Sequence, residues 1–278
     1  MSAVIPDLVY DIGLHRGEDT DYYLTKGYRV VGFEANPRLA GECRTRFRDA
    51  IQSERLIVVE GAIAPSEVGD SLDFYVDENS VLGTANKNWA DKNKLMGSSN
   101  KRITVKRVDI TDAYKAYGVP DFIKVDIEGQ DKIILESMRS LDVLPRYFSM
   151  EAEKDDFSRL EMEIDSLRNF GYVKFRAVQQ ANNGRQSGSI KTIDGRTVHY
   201  AFQDHSSGAF GEDLLSPWMS YEEVLKKYRD IFQLYRIFGD YSVLSKIGPF
   251  AKIPKFAFKL LTGYRGGLPG WYDTHASM

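Results

Sequence analysis

Two short segments combine acids, glycines and strand ends in a way that points to cofactor chemistry. The first is Asp11-Ile12-Gly13-Leu14-His15-Arg16-Gly17, set between an apolar run (Asp7 to Ile12) that reads as a buried strand and a helix over Glu18 to Lys26. Glycine at such a turn lets the backbone pass close to a ligand without a Cβ in the way. A dinucleotide fingerprint would want three glycines and a pyrophosphate on the helix N-terminus. Here Gly13 and Gly17 are present, but His15 takes the middle glycine's place and an acid the third's. Asp11 stands just before the turn, where a carboxylate repels pyrophosphate and attracts an ammonium. The spacing therefore suits a nucleoside cofactor carrying a positive amine, such as S-adenosyl-L-methionine. Glu34 closes the second strand-like run, where an acid accepts both hydroxyls of a ribose. Ala35 and Asn36 follow and are assigned to the same pocket. Gly61-Ala62 closes the third run and is expected to leave a flat apolar slot for an adenine ring.

The second segment is Lys124-Val125-Asp126-Ile127-Glu128-Gly129. Period-two alternation puts Lys124, Asp126 and Glu128 on one face of a strand end. Charges there are hard to justify as packing, because central parallel strands are usually apolar on both faces. Asp126 is expected to face the reacting end of the cofactor, with Glu128 beside it. The plainer alternative is an ion pair of Lys124 with Asp126 or Glu128 that only holds the loop. His205 is a second-rank candidate base, its plainer reading being a solvated loop histidine. His15 is expected to flank the cofactor's methionine moiety; His199 and His275 are given no role. Asp126, Glu128, Glu151 and Glu153 are hard oxygen donors, so a divalent metal is possible but not favoured.

These residues need a scaffold, and the chain alternates strand-like and helix-like runs to supply one. Strands are expected at Asp7–Ile12, Tyr28–Glu34, Leu56–Ile63, Asp121–Ile127, Tyr147–Ala152 and Tyr172–Val178, with helices between. Asn36 and Pro37 mark one helix start, as N-cap and first residue. Gly27 closes another helix. Such alternation implies a parallel sheet covered on both faces. Residues 65–110 break the rhythm with two strand-like pieces around a polar stretch containing Trp89, and read as an insertion able to cover a site. Gln179–Arg196 reads as an exposed loop leading to Thr197–Gln203, an expected antiparallel partner of the sixth strand. Trp89 and Trp218 are candidates to stack on a sugar.

Composition excludes several classes. The 278 residues are 42% hydrophobic and 28% charged, which supports a sizeable core. The net charge of -3 argues against a nucleic-acid binder. Cys43 is the single cysteine, so neither a disulfide nor a thiolate zinc cluster is available, and a reducing compartment is the default. No apolar run has the length of a membrane span, and Met1–Asp7 lacks the pattern of a signal peptide; a cytoplasmic location is expected. Residues 246–270 mix lysine with Phe, Ile and Leu. This stretch is compatible with peripheral membrane contact, or with packing on its own domain or on a second subunit as a homo-oligomer.

VYDIGLHRGEDT, VVGFEANP, FSMEAE and above all DFIKVDIEGQDKIILE resemble the FkbM-type S-adenosylmethionine-dependent methyltransferases over about Asp7 to Val178. The resemblance implies an α/β, Rossmann-like class I methyltransferase fold: a mainly parallel seven-stranded sheet with an antiparallel edge, an insertion and a C-terminal helical tail. It also implies O-methylation of a hydroxyl on a carbohydrate, glycolipid or small-molecule acceptor. SSGAFGEDLLSPW is similar to a segment of bacterial members linked to polysaccharide or glycolipid work. The expected division is a methyltransferase domain over 1–205 and a basic extension over 206–278. The competing readings are a nicotinamide-dependent oxidoreductase with a degenerate fingerprint, and a non-catalytic glycan- or membrane-binding module.

Overall fold

The structure is a computed structural model and describes residues 3–77, 83–84, 100–127, 131–239, 252–262, 267–268 and 270–278. Trp89 and Glu128 lie outside the described residues, as do parts of the 246–270 stretch.

The first half forms the elements its pattern demands. β1 (Val4–Ile12), β2 (Arg29–Glu34), β3 (Leu56–Glu60), β8 (Val119–Val125) and β9 (Tyr147–Glu151) are strands of the central sheet. β1 pairs in parallel with β2 and with β8, β2 with β3, and β8 with β9. From Leu8 to Ile12 every residue of β1 is buried, and all seven of β8 are. Strands covered on both faces read as continuous apolar runs; the charged exceptions are Asp11 and Lys124 near the strand ends and Asp121 at the start of β8, which pairs with Arg146 at 2.7 Å. Helix α1 (Glu18–Lys26) returns from β1 to β2 and ends on Gly27 in the left-handed conformation. Helix α2 (Pro37–Arg46) starts as expected, with the Asn36 side chain accepting from the Arg38 amide. The helical run then breaks at Phe47, and α3 (Arg48–Gln52) follows as a separate turn.

The third strand is interrupted at Gly61. Its continuation, β4 (Ala62–Ile63), leaves the central sheet and pairs with β7 (Asn100–Val108) of the insertion. β7 runs antiparallel to β5 (Ser71–Asp77), from Ser71 opposite Lys106 to Asp77 opposite Asn100, and β6 (Gly83–Thr84) adds to β5. Phe74, Val105 and Ala62 form the core of this small sheet. Helices α4 (Ile110–Tyr117) and α5 (Asp131–Ser137) flank β8 in sequence.

The second half holds α6 (Phe157–Asn169), β10 (Lys174–Gln179), β11 (Ser187–Lys191), β12 (Thr197–Ala201), α7 (Tyr221–Phe238), α8 (Lys252–Thr262) and β13 (Tyr272–Ser277). The central sheet has seven strands in the order β10-β13-β9-β8-β1-β2-β3. The antiparallel partner of β10 is β13, from Lys174 opposite Ser277 to Gln179 opposite Tyr272, and not the expected Thr197–Gln203. That segment pairs instead with β11 as a separate ribbon. Tyr200 explains its position: its ring packs on Tyr22 of α1, 5.3 Å between centroids, and its hydroxyl donates to Asp21. The expected boundary after residue 205 thus does not separate sheet from tail, because the last six-residue strand comes from the tail.

The chain divides into two compact units, 1–150 with 187–200, and 151–186 with 201–278. In the second unit Tyr228 of α7 and Thr274 of β13 share a 2.7 Å hydrogen bond, and Tyr221 donates to Asp165 of α6. Ser220 and Glu223 form a reciprocal capping box at the start of α7.

Candidate active site

The first unit brings four charged side chains together where β1 and β8 end. Lys124 Nζ lies 3.6 Å from Asp11 Oδ1, 3.6 Å from Asp19 Oδ2 and 3.5 Å from Asp126 Oδ2, and it donates to the Gly13 carbonyl at 3.1 Å. Lys124, Asp11 and Asp19 are buried, whereas 40% of the Asp126 side chain is exposed. Asp11 also accepts from the Thr20 hydroxyl at 2.7 Å, and its Oδ1 has no hydrogen-bond partner. Burial pushes the Asp11 carboxyl above the ordinary carboxylate range; Lys124 opposes this and the Asp19 charge adds to it. Carboxylates outnumber ammonium three to one in this group, so the strand ends carry a surplus of negative charge facing the exposed Asp126. Asp131, at the start of α5, adds to it. Loss of hydration and the Asp126 charge push its carboxyl up to about 7, while the Ile127 amide donates to it.

Glu34 sits one strand away with a different set of contacts. One carboxylate oxygen accepts from the His15 amide at 2.8 Å and the other from the Asn36 amide at 2.7 Å. Burial pushes the carboxyl up to about 7, and the two amides limit the rise. An ionised carboxylate has about four acceptor positions, so two amides leave capacity for two further donors, the number a ribose diol brings. His15 contributes its backbone to Glu34 and sits at a left-handed φ of 53°. Its ring Nδ1 lies 3.1 and 3.2 Å from the oxygens of Glu18. Burial would raise the Glu18 carboxyl, but this imidazole and the Arg16 amide hold it below its usual range.

The glycines serve the protein's own packing. A Cβ on Gly13 would lie 2.0 Å from the Asp126 carbonyl oxygen, and one on Gly17 2.3 Å from the Phe47 ring. Both have positive φ. The turn is therefore tight because the residues that follow β8 and α2 press against it, so the protein's own packing already requires glycine there. Asp11, likewise, has Lys124 as the ammonium it faces. Gly61 donates its amide to the Glu34 carbonyl, but Ala62 packs under Phe74 and Val105 with Ala35 alongside. The Ala62 side chain is thus covered by the insertion.

Other expected residues belong to the second unit. His205 belongs to the second unit, exposed and at a φ of 69°, and lines a cavity with Gln180, Ala181, Ser206, Gly270 and Trp271. Glu153 caps the Lys154 and Asp155 amides, and among the described residues no group of three His, Cys, Asp or Glu side chains is placed to hold a metal ion. Trp218 carries the Arg176 guanidinium 3.8 Å from its ring centre. The sequence did not single out Asp19, Thr20 or Trp271. Asp19 and Thr20 were visible as an acid and a hydroxyl in the first turn of α1, where they meet Lys124 and Asp11.

A family model for the methyltransferase FkbM domain matches residues 11–174, more than half of the chain. The chain belongs to the FkbM methyltransferase family. It is a methyltransferase that uses S-adenosylmethionine, and its seven-stranded, mainly parallel sheet is the Rossmann-like class I fold. The match starts at Asp11 and ends at the first residue of β10, so it spans the Lys124 cluster and Glu34. Solved structures give a looser likeness. Precorrin 8w decarboxylase from Methanobacterium thermoautotrophicum is 14% identical, with 71% of this chain and 77% of that one covered and a TM-score of 0.36. The C-terminal domain of precorrin-6Y C5,15-methyltransferase from Rhodobacter capsulatus is 11% identical, covering 71% and 76%, with a TM-score of 0.38. An O-methyltransferase from Bacillus cereus, solved in complex with SAH, is 15% identical, covering 68% and 70%, with a TM-score of 0.30. No curated protein matches the chain.

The residues fit the family's cofactor. Asp126, beside the buried carboxylates around Lys124, would hold its cationic end, and the acceptor capacity left on Glu34 would hold its ribose hydroxyls.

Proposed function

We propose that this methyltransferase acts on a hydroxyl of a sugar, a glycoconjugate or a related metabolite. The carrying observation is the exposed Asp126 carboxylate at the end of β8, held 3.5 Å from Lys124 beside a buried acidic cluster. When bound, the cofactor supplies an electrophilic methyl on a sulfonium, and the acceptor oxygen displaces the thioether. An alcohol is a weak nucleophile near neutral pH, so its proton must leave as the new carbon–oxygen bond forms. Asp126 is the group assigned to take that proton. Lys124 positions it: the ammonium lies 3.5 Å from Asp126 and fixes the strand end through the Gly13 carbonyl. Glu34 and the His15 and Asn36 amides orient the nucleoside, so the rate gain rests mainly on alignment.

A carbohydrate acceptor is supported by the cavity of the second unit. Trp271 is 44% exposed there, beside Gln180, His205 and Ser206 at the carboxyl end of β10. One face of the indole carries the Lys154 ammonium, 3.0 Å from the ring centre; the exposed remainder of the ring, with His205 beside it, suits a polyhydroxylated ring.

The test is transfer of labelled methyl from S-adenosylmethionine into glycan and glycolipid extracts, with mass spectrometry of the products. Label on a carbohydrate hydroxyl, abolished by Asp126→Asn, is the expected result. Label in protein side chains alone would overturn the acceptor assignment. Calorimetric binding of NAD in place of S-adenosylhomocysteine would favour a nicotinamide enzyme.

A further inference from the structure

Helix α8 differs from the other helices in what it leaves uncovered. Phe256, Leu260 and Leu261 are 69%, 72% and 85% exposed, although all three are large and apolar. At 100° per residue, Phe256, Ala257, Leu260 and Leu261 fall within a single arc of about 140° on the helix. Lys259 borders that arc, about 60° from Phe256, and Lys255 lies about 40° further round. Phe258 lies about 60° beyond the other edge and packs on Phe238 of α7, with ring centres 5.0 Å apart, so this side ties the helix to the second unit. Charge follows the same pattern. Between Asp240 and Asp273 the sequence has five Lys or Arg and no acid, although the whole chain carries a net charge of -3.

An exposed apolar stripe bordered by lysines has a specific complement. Water opposes so much bare apolar surface on one helix, and a protein partner would have to match the lysines with acids. A bilayer with anionic headgroups satisfies both demands together: acyl chains for the Phe and Leu side chains, phosphates for the ammonium groups. No helix among the described residues is long and apolar enough to cross a membrane, so the contact is one of lying on the surface. We propose that α8 docks the enzyme on an anionic lipid bilayer, with Phe256, Leu260 and Leu261 inserted at the interface and Lys255 and Lys259 on the headgroups. The consequence is that an acceptor carried at a membrane surface would be met at high local concentration. The inference holds whatever the acceptor, because vesicle binding is read without turnover.

The experiment is flotation of the full chain with vesicles of phosphatidylcholine alone or mixed with phosphatidylglycerol. Binding to the mixed vesicles, weakened by salt and little to none on phosphatidylcholine, is expected. The K255E/K259E variant should lower the partition at least ~10-fold, from a few-fold per lysine. The F256S/L260S/L261S variant should lower it ~100-fold or more. Both variants should keep the wild-type melting temperature, which separates lost docking from lost folding. Equal binding to both vesicle types, no binding to either, or unchanged binding by the variants would overturn the proposal. So would a dimer in sedimentation velocity that the apolar triple variant dissociates, since a second copy of the chain would then be what covers the stripe.

Discussion

The two units bury ionisable groups in opposite ways. In the first, Asp11, Asp19 and Lys124 stay together as a charged group, with Asp126 extending it to solvent. In the second, His275 of β13 is 3% exposed, its Nε2 has no hydrogen-bond partner, and burial together with the Arg176 charge pushes its pKa down to about 3. The first unit gathers its buried charges into one cluster; the second, which also buries Arg176 and Asp273, keeps this imidazole neutral. Burying paired charge is rarely the cheapest way to stabilise a core. Its persistence at the strand ends is therefore best explained by work done there, whereas a neutral buried imidazole is consistent with packing alone.

The largest expected effect separates the two directly. Lys124→Met removes the ammonium beside buried Asp11 and Asp19 and should cost about 3–5 kcal/mol at pH 8. Protonation of the orphaned acids should recover part of this toward pH 5. Urea unfolding at both pH values measures it, and a loss below about 1 kcal/mol would mean that the pairing matters little. Glu34 comes next. If its ionised form holds the nucleoside, affinity for S-adenosylhomocysteine should rise as pH increases through about 7, by up to tenfold per unit below that value. Glu34→Gln should bind more weakly and show no such rise in calorimetry.

The third prediction concerns the opposite signs of the two units. His275, at about 3 when folded against about 6.5 when unfolded, takes up its proton first in the unfolded chain. The stability it permits is therefore complete above about 6.5 and lost as pH falls toward 3. Glu34 and Asp131, raised to about 7, take up protons first in the folded chain. Their effect runs the other way: stability declines as pH rises from about 4.5 to 7. A His275→Leu variant should lose the acid-side decline and keep the other, read from unfolding curves across pH 4 to 8. The smallest effect is at the caps. Ser220→Ala and Asn36→Ala should each cost about 1 kcal/mol. Cofactor binding should be untouched by the first and weakened slightly by the second, whose backbone amide bonds Glu34.

The sequence revealed most of the first unit and little of how the second completes the sheet. β1, β2, β8 and β9 are apolar runs ending in charged or glycine-rich turns, which is how parallel strands look. β13 reads Tyr-Asp-Thr-His-Ala-Ser; all six residues are buried, yet four are polar, so no hydrophobic pattern marks it. Its partner could be recognised only from long-range pairing with β10. At the site, Asp11, Glu34 and Asp126 stood out because charge at a strand end is unusual. That Gly13 and Gly17 lie against Asp126 and Phe47, and Ala62 against Val105, depended on residues far along the chain: thirty positions away for Gly17, more than forty for Ala62 and over a hundred for Gly13. Single-segment spacing carries no such information.

The most direct measurement is calorimetric titration of the full chain with S-adenosylmethionine and with NAD, repeated on Asp126→Asn and Glu34→Gln. One equivalent of S-adenosylmethionine bound, weakened in both variants, with no heat from NAD, is the predicted result. Saturable binding of NAD with no response to S-adenosylmethionine, or affinity indifferent to both substitutions, would contradict it.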